Sequence, residues 1–446
     1  MKGHMSLHPF LVTNLALLLL TIVAGGASRE NAIPLAVVEL ASLALLPWSI
    51  ARLVENRRWT EMNFPLAIIV LMALTPVSQL IPLPPGLWTH MPGGPSVREI
   101  YDGAGLELPW RPLSLAPAYT VRSALSLLAP ISIFLGWSGL SSTERGYGIV
   151  AILVALIAGL LLGSVQLAAG GQSVGYLYSN TNYGALVGFF ANRNHEAAML
   201  LCSLPLSAAL LVNSDKTRGA QAALIITSLA LTFVVVGALG AVQSRAGILL
   251  LPLVLAGSLA VVLRSGRLGT TTKVSLSLAG LLTLAISLIL VFGLGPLMQR
   301  FDNNVAHDLR FMAAPTILRV GVEHLPFGSG LGTFDLVYRS VEKISLVGPA
   351  FFNHAHDDYL ELFMETGVVG IGIAGLFLIW VVIAAWKVWP ARRSRSVSLG
   401  QAGFVVIAVV LVHSSLDYPL RTTSIMAVFA FACALLNGGM RNAERA

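Results

Sequence analysis

The apolar positions of this chain come in long unbroken runs instead of alternating with polar ones. As helices, runs of about 20 residues cross a hydrocarbon core of roughly 30 Å and keep every backbone N–H and C=O paired within the segment. The runs predict spans near 9–27, 33–53, 64–82, 121–140, 147–168, 196–213, 220–241, 246–264, 274–295, 367–386, 402–416 and 423–438. Polar sequence is scarce except at about 83–120 and 297–366. The pattern predicts an all-α polytopic membrane protein. A single membrane domain over 1–446 would hold about twelve transmembrane helices, with a large loop between the ninth and tenth. The first run is long and has no small-residue cleavage site behind a short apolar core, so it reads as a retained helix.

Composition agrees with a lipid solvent. Hydrophobic residues make up 56% and charged residues 11% of the 446, against about 25% charged in soluble domains. Mean hydropathy is +0.79. The two cysteines, Cys202 and Cys433, fall inside spans and read as small apolar residues. With the N-terminus placed in the cytoplasm, the inner segments carry sixteen Lys and Arg and the short outer ones five, Arg29, Arg122, Arg193, Arg245 and Arg421. That bias places both termini inside and the 297–366 segment outside. The net charge of +7 is mostly this topology signal, and no run in it suggests nucleic-acid binding.

The 83–120 segment is broken repeatedly by Pro and Gly, with Leu87, Trp88, Trp110 and Leu113 as apolar anchors. It reads as an interfacial loop carrying a short helix on the bilayer. The 297–366 segment contains a helical stretch from about Leu309 to His324, then the turn PFGSGLGTF, then His354, His356, Asp357 and Asp358 just before an apolar run. The glycines of the turn read as a close approach of backbone to a neighbour. A phosphate-cradling loop would want a preceding strand and a following Gly-Lys-Ser/Thr.

Two sets of residues suggest chemistry. Arg193, Arg245, Arg310, Arg319 and Arg421 collect on the face where positive charge is usually scarce. Each can snorkel or pair with a carboxylate, but together they suit an anion, and guanidinium forks match the oxygens of a diphosphate. The His–Asp cluster at the water–lipid boundary suggests acid–base work on a substrate held at the bilayer surface. The competing readings are helix capping near Asp357 and a metal site offered by HxHDD. His195 and His413 lie at outer helix ends, as substrate contacts or as ordinary interfacial residues.

The segments FANRNHEAAML (190–200), SRAGILL (244–250), the Arg310 helix running to LPFGSGLGTF (325–334), HAHDDYLELFMETGVVG (354–370) and HSSLDYPLR (413–421) occur in that order. The ordered set, over about 180–425, resembles the bacterial O-antigen ligase and O-antigen polymerase superfamily. The usual family form at the cluster is His-Asn-Asp-Tyr; here Asp357 replaces the Asn and His354 is an additional histidine. The resemblance implies a metal-independent, inverting glycan transferase of the inner membrane that needs no cofactor. It would take an undecaprenyl-diphosphate-linked glycan on the periplasmic side and join it to an acceptor hydroxyl, of a lipid A core or another glycan. By the same resemblance Arg245, Arg310 and Arg319 would hold the diphosphate. His356 would serve as base, with Asp357 or Glu365 fixing its tautomer, and Arg193, Asn194, His354, His413 and Arg421 are further candidate contacts. Polymerases and protein O-oligosaccharyltransferases share this donor chemistry. A lipid-linked glycan transporter would instead show charges buried at mid-bilayer.

Overall fold

The computed structural model describes residues 8–28, 32–213, 218–265, 282, 309–347 and 352–445. Ten described helices are long and apolar enough to cross a membrane, and they coincide with ten of the twelve expected runs. The run at 9–27 forms a shorter helix, α1 (Pro9–Ala24), of 16 residues. Its end is set by packing: a side chain at Gly25 or Gly26 would meet the backbone of Ser424 or Phe189. The expected span at 274–295 and the start of the 297–366 loop lie outside the described residues.

Along the chain follow α2 (Ala32–Glu55), α3 (Asn63–Leu80), the short α4 (Pro85–Trp88) and α5 (Gly94–Gly103), α6 (Pro117–Ser126) and α7 (Leu128–Ser138). Next come α8 (Ser142–Ala168), α9 (Arg193–Val212), α10 (Arg218–Val242) and α11 (Arg245–Ser265). After the undescribed stretch come α12 (Leu309–Glu323), α13 (Phe334–Val341), α14 (Asp358–Val388), α15 (Arg395–His413) and α16 (Thr423–Arg445). The centre is α9, α16 and α15, whose spans are 94%, 89% and 72% buried, against 22% for the span of α2 and 28% for those of α3 and α14. Small residues explain the difference. Gly400 of α15 backs onto Gly439 of α16, and Gly403 onto the Ala432 carbonyl. Lipid tails are as apolar as leucine, so close backbone packing, not hydrophobicity, selects the inner helices.

The 83–120 segment is more folded than expected. Pro82 and Leu83 pair antiparallel with Pro112 and Arg111. Trp88 is not an anchor for the bilayer: it is buried, donates to the Pro109 carbonyl at 2.9 Å and lies under Arg111. Of the four expected anchors Leu87 and Trp110 are exposed, as are Ile100 and Leu106 of the same segment.

The glycine turn does approach backbone closely. Gly328, Gly330 and Gly332 all have positive φ, and a Cβ on Gly328 would strike the Glu365–Thr366 peptide. Ser329 and Gly330 donate to the Met364 and Glu365 carbonyls at 3.0 and 2.9 Å, and Val368 donates back to the Pro326 carbonyl at 3.0 Å. Those carbonyls and that N–H are available because α14 breaks at Gly367 (φ 58, ψ −140). Gln79, buried at the end of α3, closes the arrangement. Its amide donates to the Phe327 and Glu365 carbonyls and accepts from Leu331 N–H. Gly328→Ala is therefore expected to lower the thermal midpoint of the detergent-solubilised protein, at an expense of about 1–3 kcal/mol. Gly86→Ala, with no atom within 4 Å of the added carbon, should leave it unchanged. Equal midpoints for the two variants would show that the turn does not bear on stability.

Candidate active site

Four chain segments converge at one end of the bundle: the start of α9, the start of α12, residues 353–365, and the connection 414–422 between α15 and α16. Asn192 caps α9 by accepting from Asn194 N–H at 2.9 Å. The cap turns the Asn194 side chain to Asp417, to which it donates at 2.6 Å. Asp417 is fully buried, and its other oxygen accepts from His356 Nδ1 at 2.8 Å. Burial alone would raise the Asp417 carboxyl. The hydrogen bond from His356 and the nearby His356, His195 and Arg310 charges outweigh it and hold the carboxyl far below the usual range. An ionised Asp417 favours the tautomer with the proton on Nδ1, the one in which a neutral imidazole presents its lone pair at Nε2. The His356 side chain is 19% exposed and its backbone is left-handed, with φ 55. That conformation is uncommon away from glycine and gathers at functional sites.

The expected partners of His356 are corrected here. Asp357 is the N-cap of α14, accepting from Tyr359 and Leu360 N–H at 2.9 Å each. Asn caps as well as Asp does, so the cap does not require a carboxylate here. Glu365 faces Arg421 at 2.7 Å. The carboxylate that orients His356 is Asp417, 61 residues away in sequence.

Beside this pair lies a second, denser network. Asp358, Glu361 and Glu365 share one face of α14, and Arg421 sits among them at 3.7, 3.4 and 2.7 Å. Asp358 also accepts from Ser414 and from Leu420 N–H. Glu361 accepts from His354 Nδ1 at 2.8 Å and from Ala355 N–H at 2.7 Å. Burial would lower the Arg421 guanidinium, but the three carboxylates prevail and raise it well above its ordinary value. Arg421 is thus committed to protein carboxylates. The four side chains of HxHDD likewise go to four different partners, and no metal-suited group of three His, Cys, Asp or Glu occurs among the described residues.

Tyr418 joins the two networks. Its ring lies 4.5–5.0 Å from those of His354, His356 and His195. Burial pushes its hydroxyl up to about 12, so it stays a neutral partner for the Asn192 amide, which donates to it at 3.3 Å. His195 is buried and its Nδ1 pairs with the Thr422 hydroxyl at 2.7 Å, which leaves it packed inside. His413 is fully buried too, and neither ring nitrogen meets a hydrogen-bond partner among the described residues.

The cationic candidates divide. Arg310, second residue of α12, donates to the Leu416 carbonyl at 3.3 Å, next to Asp417. Arg245 opens α11 behind the Ser244 side chain, which accepts from Gly247 N–H. Gly247 packs on Ala197, so Arg245 lies at the same end of the bundle as Arg193. Arg319 pairs with Glu323 one turn on, at 2.6 Å, with both side chains about half exposed.

With this geometry in place, residues 230–375 match the family model described as O-antigen ligase. The chain carries an O-antigen ligase region. A comparison with curated proteins returns no match. The match agrees with the superfamily that the ordered motifs resemble. Together with the many apolar helices, it supports a multi-pass membrane protein similar to ligase- or polymerase-like glycan transferases. The O-antigen ligase region holds Arg245, Arg310, His354, His356, Glu361 and Glu365, but it stops before Asp417, Tyr418 and Arg421.

Proposed function

We propose that this protein transfers a glycan from an undecaprenyl-diphosphate carrier to an acceptor hydroxyl on the periplasmic side of the inner membrane. The observation that carries this reading is the His356–Asp417 pair, with Arg310 anchored one residue from Asp417. The ionised Asp417 fixes the tautomer, and His356 Nε2 takes the proton of the acceptor hydroxyl. The acceptor oxygen then attacks the anomeric carbon from the face opposite the carrier. The bond from that carbon to the diphosphate oxygen breaks with inversion. Arg310 and Arg245 stabilise the charge that develops on the diphosphate. The donor is already activated, so no nucleotide enters. Lipid A core is the proposed acceptor class; a second carrier-linked glycan would make the protein a polymerase on the same machinery.

The test is incubation of the purified protein with an undecaprenyl-diphosphate-linked glycan and, separately, each acceptor. Product formed only with a lipid A core acceptor is expected, with an inverted anomeric centre. Product only with a second lipid-linked glycan would replace ligation by polymerisation, and no product with any acceptor would overturn transfer. The side is read in parallel by Ser340→Cys labelling with an impermeant thiol reagent in intact spheroplasts. Labelling only after lysis would reverse the orientation.

A further inference from the structure

The opposite end of the bundle holds a cleft that the transfer reaction does not use. It has a volume of about 110 Å³ and opens between the end of α9, the end of α11 and the turn joining α14 to α15. Its polar lining includes Asn213, Arg264, Arg393, Ser394, Arg395 and Gln401. Three guanidiniums therefore face one small space, and none of them meets a carboxylate among the described residues. Arg264 donates through Nε to the Trp389 carbonyl at 2.8 Å, and Arg395 donates to Thr143 and to the Asn213 carbonyl at 3.0 and 2.9 Å. These bonds fix both side chains and leave further N–H groups of each fork unspent. Arg393 is exposed beside them, with no hydrogen bond among the described residues. Ser394 caps α15, accepting from Val397 N–H. The first N–H groups of that helix therefore add partial positive charge to the same space.

Like charges gathered this closely repel unless an anion sits between them, and rigid guanidinium forks favour phosphate oxygens. The level of the cleft is marked by Trp386, 81% exposed at the end of α14, a residue type that prefers the membrane–water interface. From the cleft, its three arginines and this level, we infer a binding site for a phosphate group at the end of the bundle away from His356. The group comes from the headgroup of an anionic phospholipid in the adjacent leaflet or from free phosphate. The site stands independently of the proposed transfer reaction.

The test uses the full-length protein in detergent, with bound lipid counted by native mass spectrometry. Dioleoylphosphatidylglycerol, dioleoylphosphatidylcholine and inorganic phosphate are added in separate arms. Wild type should retain at least one phosphatidylglycerol more than Arg393→Glu or Arg264→Gln, with affinity lowered about tenfold in each variant, the equivalent of one charge-assisted contact. Arg393 is exposed, so its variant should fold, and an unchanged thermal midpoint without ligand checks this. Phosphatidylglycerol that resists millimolar inorganic phosphate identifies the headgroup as the source. Displacement by inorganic phosphate, with a raised midpoint in wild type only, identifies free phosphate. Equal retention of each ligand by wild type and both variants would overturn the site, as would equal preference for phosphatidylcholine.

Discussion

Replacing His356 by alanine is expected to lower glycan transfer by roughly 100-fold or more, the usual worth of a lost general base. The protein should still insert and fold, since the His356 side chain is partly exposed and the buried Asp417 keeps the hydrogen bond that Asn194 donates to it. Asp417→Asn should fall nearly as far. The amide no longer carries the charge that holds the proton on Nδ1, and the ring is then free to present N–H toward the acceptor. Because the two residues act as one unit, the double variant should be scarcely worse than either single one. His354→Ala should cost much less. Its partner Glu361 is already shared with Arg421 and the Ala355 N–H, so this histidine belongs to a scaffold of charges. The deciding measurement is the transfer rate of all four variants at equal amounts of folded protein. An active His356→Ala beside an inactive His354→Ala would exchange the two roles. Multiplied losses in the double variant would separate Asp417 from His356.

The largest effect on stability is expected at Arg421. Its side chain is 17% exposed and is the cation among Asp358, Glu361 and Glu365. Arg421→Gln leaves three buried carboxylates without it. Breaking a buried ion pair from one side costs about 3–5 kcal/mol, because the remaining charge stays desolvated. The thermal midpoint in detergent should therefore drop sharply. Adding Glu365→Gln to Arg421→Gln should restore part of the loss, since one uncompensated charge is removed. Arg421→Lys should fall between, because an ammonium keeps the charge but lacks the fork that reaches several carboxylates. A wild-type midpoint for Arg421→Gln would mean that the carboxylates are neutralised by other means. A further drop in the double variant would mean that Glu365 stabilises the fold independently of the arginine.

Much of this molecule is written in local pattern. Unbroken apolar runs demand helices in lipid whatever their neighbours, so ten spans coincide with runs visible in the chain. The first run also forms a helix, but a shorter one, because Gly25 and Gly26 press against Ser424 and Phe189, contacts that no local pattern encodes. The glycine turn was legible because three closely spaced glycines have few other uses; that they lie on the Gly367 break of α14 was not. Trp88 looked like a membrane anchor and is instead buried under Arg111. Hydropathy reports how apolar a residue is but not which apolar partner it meets.

At the site the division is sharper. The order of motifs marked His356, Arg245 and Arg310, and the spacing of Asp358, Glu361 and Glu365 already put three carboxylates on one helical face. A reading of that face would have asked for a buried cation. Asp417 left only a faint signal, a lone acid four residues beyond His413 in a short connection that also holds Ser414, Ser415 and Arg421. The sequence by itself determined the solvent, the helices and the inventory of chemical groups, because these depend on short-range composition and period. Only the tertiary structure decided which charges neutralise one another. It joins Asp417 to His356 across 61 residues and Arg421 to Glu365 across 56, and it commits Asp357 to a helix cap. Ion pairs act over a few ångströms in space, and separation along the chain places no limit on them.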